Sequence, residues 1–69
     1  MRDADDEADA ARFLRVRAGI EAGRIKPTIR AIYAAEGASQ TVATRYLLML
    51  EQAGVIRRVG RGYALRLTS

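Results

Sequence analysis

Ser39-Gln40-Thr41-Val42-Ala43-Thr44-Arg45-Tyr46-Leu47-Leu48-Met49-Leu50-Glu51-Gln52-Ala53-Gly54-Val55-Ile56 is the stretch on which the fold turns. Ser39 has the chemistry of a helix N-cap, because its side-chain oxygen can accept a hydrogen bond from an otherwise unpaired first-turn N–H. Ala43, Leu47 and Leu50, with Tyr46 as a further candidate, recur at helical spacing. Gly54 is the stop, since glycine accepts the left-handed conformation that closes a helix. The spacing predicts a helix over residues 40–53, with an apolar inner face and Gln40, Thr41, Thr44 and Arg45 at the start of the opposite face.

Beyond Gly54 the apolar period changes to two. Val55-Ile56-Arg57-Arg58-Val59 and Tyr63-Ala64-Leu65-Arg66-Leu67 read as strands over 55–59 and 63–67, joined through Gly60-Arg61-Gly62 into a β-hairpin. Upstream, Glu36-Gly37-Ala38 breaks the chain for about three residues, enough to turn one helix across another. Before that break, Pro27 holds residue 26 out of helical geometry and Thr28 can cap a short helix over 29–35. Ile29, Ile32 and Tyr33 are expected to face inward from it. The first helix is expected over residues 4–23, alanine-rich, with Ala10, Phe13, Leu14, Val16 and Ile20 as its apolar stripe and Gly23 as its stop.

Charge and composition bound the chemistry. The 69 residues are expected to form one domain over 1–69, too small to hold a deep active site as well as a core. With neither histidine nor cysteine, the usual zinc ligands, the imidazole base and the thiol nucleophile are missing. Glu21, Glu36 and Glu51 are scattered along the chain, so no metal, cofactor or catalytic set is expected and the protein reads as a non-enzyme. No apolar run reaches membrane-spanning length and no leader-like start is visible, so a soluble cytoplasmic protein is the expectation.

The net charge of +4 conceals a division. Asp3, Asp5, Asp6, Glu7 and Asp9 crowd the first nine positions, while from residue 10 onward eleven Lys or Arg stand against three Glu. Such a basic body attracts a polyanion. The acidic start suits a helix N-terminus, where it favours capping and solubility.

Helix, helix, short turn, helix, hairpin is the order of a winged helix-turn-helix: mainly α with a small hairpin, three helices and a wing. In a helix-turn-helix the second helix of the pair enters the major groove with its N-terminal end toward the bases. Here that end carries Ser39, Gln40, Thr41, Thr44 and Arg45. Arginine can pair bidentately with guanine, glutamine with adenine, and threonine can meet phosphate or a thymine methyl. Arg61, between two glycines, can project into the minor groove or along the backbone, with Arg57, Arg58 and Arg66 near it for phosphates.

The run from Ser39 to Ile56 resembles the recognition helix and exit of bacterial winged-helix regulators of the GntR and LexA groups: a capping serine, a threonine-rich first turn, an arginine, then Leu47, Leu50, Glu51, Gly54, Val55 and Ile56 in place. Separately, Gly23-Arg24-Ile25-Lys26-Pro27-Thr28-Ile29-Arg30-Ala31-Ile32 is similar to the start of the helix-turn-helix in the KfrA group of plasmid regulators, and Thr28 and Arg30 within it join the candidate DNA contacts. Those resemblances imply sequence-specific binding of double-stranded DNA, commonly as a homodimer and commonly as a repressor of plasmid or phage type. No small-molecule ligand is expected, because effector binding and self-cleavage in those groups need a further domain.

Leu48 and Met49 stand where these groups usually carry polar residues, so they are expected to be covered by the first helix or by a second subunit. The acidic first helix is expected to face away from DNA. The competing reading keeps the fold but makes it a protein-interaction module without DNA binding.

Overall fold

The computed structural model describes the backbone of residues 2–66 and the side chains of residues 8–66. Three helices, α1 (Arg2–Glu21), α2 (Ile29–Glu36) and α3 (Gln40–Gln52), are followed by strands β1 (Ile56–Val59) and β2 (Gly62–Leu65). The strands pair antiparallel, Ile56 with Leu65 and Val59 with Gly62. This is the winged helix-turn-helix order expected from the sequence.

The joints are local chemistry. At the end of α1, Gly23 takes φ +80°, the Arg24 N–H donates to the Gly19 carbonyl at 2.8 Å and the Gly23 N–H to that of Ile20 at 3.1 Å. That is the Schellman pattern. It closes the helix at Glu21, two residues short of the expected 23, because Ala22 and Gly23 belong to the cap. Gly19 is buried against Ile25, and a Cβ there would sit 2.7 Å from Ile25 Cγ1. Ile25, the fourth residue after α1, is thereby folded back onto the helix it has just left.

The same device ends α3. Gly54 has φ +79°, its N–H donates to Glu51 O at 3.1 Å, and the Val55 N–H donates to Leu50 O at 2.9 Å. Leu50 and Val55, the two apolar residues that flank this motif, both lie in the core. Val55 is thus part of the helix exit, so the first strand begins at Ile56.

Thr28 and Ser39 cap as expected, accepting from the Ala31 N–H at 3.1 Å and the Val42 N–H at 3.3 Å. Gly37 is left-handed (φ 67°) and Ala38 is fully buried, so the turn between α2 and α3 is Gly37-Ala38-Ser39. Helix α2 therefore runs one residue past the expected 35. The hairpin turn is tighter than the expected Gly60-Arg61-Gly62: Gly62 pairs with Val59, leaving the two-residue turn Gly60-Arg61 with φ positive at Gly60 alone. Glycine at the first central position is what a type II′ hairpin turn requires. Strand β2 ends at Leu65, and Arg66 N–H donating to Val55 O at 2.9 Å ties off the base of the hairpin. The expected continuation to Leu67 lies outside the described residues.

Val16 and Ile20 of α1, Ile32 of α2, Ala38, Ala43, Tyr46, Leu47 and Leu50 of α3, and Val55 and Ile56 form the core. Phe13, Ile25, Ile29, Val42, Tyr63 and Leu65 pack around it. Three expectations are corrected. Tyr33 is 62 % exposed, since it lies about 100° round the helix from Ile32. Leu14 is 60 % exposed and Ala10 is exposed, because the inner arc of α1 follows Phe13, Val16 and Ile20, spaced three and four apart. Leu48 and Met49 are 43 % and 41 % exposed and are not covered by α1.

Candidate nucleic-acid interface

Tyr46 organises one flank of α3. Its side chain is fully buried, yet its hydroxyl reaches Asp9 on α1, donating to the carboxylate at 2.5 Å with the Asp9 carbonyl 3.2 Å away. The ring meets Phe13 edge-on at 5.3 Å between centroids, and the guanidinium groups of Arg12 and Arg45 lie 5.9 and 5.7 Å from its centre. Both arginines also converge on Asp9, Arg12 through Nη2 at 3.3 Å and Arg45 through Nη2 at 2.9 Å. The Tyr46 hydrogen bond and the two cations hold the Asp9 carboxyl below its ordinary range, against the opposing effect of desolvation.

Arg45, expected on the outer face of α3, is therefore tied to α1, although its side chain remains 54 % exposed. This corrects the picture of an acidic helix turned away from the candidate surface. The signal was present in the sequence: Asp9 is in register with Phe13, Val16 and Ile20, at spacings of four, three and four, on the inner arc of α1.

A second ion pair braces the helices. Arg15 grips Glu36 with Nε at 3.1 and 3.2 Å and Nη2 at 2.9 Å, fastening α1 to the C-terminal end of α2. The Arg15 hydrogen bond pulls the Glu36 carboxyl below its usual range. Because Asp9 and Glu36 both have lowered values in the folded state, the stability they contribute is fully present above the unfolded carboxylate range. It is lost as pH falls through the folded values. Thermal melts are thus expected to show stability level from about pH 7 to 5 and declining below about pH 4, and Glu36→Gln is expected to flatten part of that decline. An acid limb identical in wild type and Glu36→Gln would remove Glu36 from the account.

The other flank of α3 faces the wing. Leu47, next in sequence to Tyr46, lines a cleft of about 190 Å³ with Pro27, Thr28, Ile29, Arg61, Gly62 and Tyr63. The wing turn is thereby set beside the start of α2, and Thr28 and Arg61, far apart in sequence, share one cleft. Arg58 lies along the surface of the wing, its side chain 61 % exposed, donating to the Tyr63 hydroxyl at 3.1 Å and lying 5.5 Å from that ring and 3.9 Å from Glu51. The Tyr63 hydrogen bond raises its pKa. Arg58 thus links the wing to Glu51 of α3, and with Tyr63 and Glu51 as partners it is less free for a phosphate than the sequence led one to expect, although it stays exposed.

Arg57, on the opposite strand face from Arg58, is exposed and makes no ion pair among the described residues, and the same holds for Arg61 and Arg30. Gln40, Thr41 and Thr44 are exposed on α3. At about 100° per residue, Thr41, Thr44, Arg45 and Leu48 share the arc opposite Ala43, Leu47 and Leu50. The candidate surface is therefore this outer arc, with a carboxylate-clamped arginine on the α1 side and an arginine-bearing hairpin on the other. No helix is long and apolar enough to cross a membrane, and no group of three or more metal-ligating side chains occurs among the described residues.

No protein-family model, curated protein or solved structure matches the chain. The resemblance to winged-helix regulators extends, on the structural side, to three helices followed by a two-stranded antiparallel hairpin.

Proposed function

We propose that this chain is a DNA-binding transcriptional regulator, most simply a repressor, that docks the outer arc of α3 in the major groove and sets its wing on the minor groove or backbone. The observation that carries the reading is that this arc, with Thr41, Thr44 and Arg45, is left uncovered by the fold while an arginine-bearing wing stands beside it. An α-helix fits the major groove, where base edges present a readable pattern of donors and acceptors. Arg45 is assigned to a guanine, Gln40 to an adenine edge, and Thr41 and Thr44 to phosphate or a thymine methyl. Ser39, already capping α3, retains a hydroxyl proton for phosphate. Thr28, Arg30, Arg57 and Arg61 are assigned to the backbone, and Arg58 braces the wing through Tyr63 and Glu51.

A homodimer is the natural binding unit, since two copies on a palindrome would place their recognition helices about one DNA turn apart. The exposed Leu14, Leu48 and Met49 are available to a partner subunit. They also favour the second reading, a protein-interaction module, in which the same apolar side chains meet a different protein.

Selection of bound duplexes from a random library, at about physiological salt, tests the reading directly. Enrichment of a defined site supports it; no enrichment favours the protein partner. On the enriched site, Arg45→Ala and Arg61→Ala are each expected to weaken binding by about tenfold, and Arg45→Ala alone to relax base preference. Binding unchanged in both variants removes the assigned surface.

A further inference from the structure

The Asp9 carboxylate does more than join two helices. It receives the Tyr46 hydroxyl at 2.5 Å, Arg12 at 3.3 Å and Arg45 at 2.9 Å. Tyr46 is fully buried and meets the carboxylate at Oδ1 together with Arg12, so the carboxylate is a fixed point on which Arg45, held through Oδ2 and the more exposed of the two arginines, is hung. Among the described residues, Nη2 is the one Arg45 atom with a hydrogen-bond partner. The guanidinium carries five N–H groups in a planar fork, so four remain for another acceptor, and the Tyr46 ring 5.7 Å away restrains the plane.

We infer that Asp9 is a specificity-determining positioning residue, which aims the Arg45 fork at a base edge and makes phosphate a poor alternative target. The inference rests on the proposal that α3 reads DNA. Its physical basis has two parts. A free arginine side chain loses rotamer freedom when it is fixed, and Asp9 removes part of that loss before binding. A carboxylate 2.9 Å from the guanidinium also repels the phosphate backbone, so an Arg45 that slid sideways onto a phosphate would bring that phosphate against a like charge. A guanine edge, neutral and offering two acceptors, carries no such penalty. Asp9 thus costs affinity for any DNA while raising the preference for the right one, a use of repulsion that specificity commonly needs.

The measurement is the ratio of affinity for the selected site to affinity for random duplex, taken by fluorescence anisotropy at one salt concentration. It is made on wild type, Asp9→Asn, Arg45→Ala and the double variant. Asp9→Asn keeps an acceptor for the Tyr46 hydroxyl, so the helix joint survives, and a thermal melt of each variant checks this. Asp9→Asn is expected to bind random duplex more tightly and to lose about tenfold in the ratio, with the lost preference confined to the base pair at which Arg45→Ala also loses preference. The double variant is expected to lose no more than Arg45→Ala alone. If Asp9→Asn tightens binding to both duplexes equally, Asp9 is a brake on binding and not a positioning residue, and the inference falls while DNA reading stands. An unchanged ratio has the same consequence. If wild type itself shows no preference for any duplex, the inference falls together with the reading beneath it.

Discussion

Tyr46→Ala is expected to leave a large fraction of the chain unfolded at 25 °C. Removal of a fully buried aromatic ring costs about 3–5 kcal/mol in a core that cannot collapse onto the gap. At roughly 0.05–0.15 kcal/mol per residue, a domain this small has only about 3.5–10 kcal/mol in total. Tyr46 is the largest of the fully buried side chains, and it joins Phe13 of α1 to the core face of α3. Few positions are therefore less replaceable. Tyr46→Phe separates the two roles of the residue: the ring stays, and only the hydroxyl that donates to Asp9 is lost. Its expected cost is about 1–3 kcal/mol, as for a partly buried acceptor deprived of a donor. Urea denaturation followed by circular dichroism distinguishes the cases. A loss below about 1 kcal/mol in Tyr46→Ala would mean that the α1–α3 junction does not hold the core as described.

Raising salt from about 50 to 200 mM is expected to weaken DNA binding by about 150-fold for each bound copy. That figure follows if Arg30, Arg57, Arg61 and one further cation each neutralise a phosphate, for a log–log slope of about −3.6. Removing Arg57 and Arg61 together is expected to bring the slope to about −1.8, because each backbone cation contributes about one ion released. Asp9→Asn, by contrast, is expected to alter base preference with little change in slope. An affinity indifferent to salt would transfer the surface to a protein partner, for which Leu48 and Met49 are already exposed.

The two tests bear on different parts of one arrangement. The tyrosine that holds α1 to α3 also seats the carboxylate that holds Arg45, so the core and the candidate surface meet at a single side chain. Asp9→Asn leaves that seat in place, whereas Tyr46→Ala removes it. Loss of binding in Tyr46→Ala is for that reason read only beside its melting curve.

Read by itself, the sequence determined the elements and their joints. Thr28 and Ser39 as caps, Gly23 and Gly54 as helix stops, and the hairpin glycines act over a few residues, through backbone conformations and first-turn hydrogen bonds that neighbouring side chains decide. The inner arc of α3 was legible for the same reason, since 3.6-residue periodicity is a local property. Tertiary structure alone decided which of the apolar and charged side chains met. Tyr33 points outward and Tyr46 inward, although both are tyrosines on short amphipathic helices, because only Tyr46 is covered by α1. Arg45 and Asp9 lie 36 positions apart, and nothing local to either specifies the other. Their pairing exists because the packing of Phe13, Val16 and Ile20 brings the same arc of α1, with Asp9 at its outer end, against the flank of α3. Helix formation is a short-range contest of hydrogen bonds and side-chain entropy, whereas the electrostatic character of a surface depends on which elements the core sets side by side.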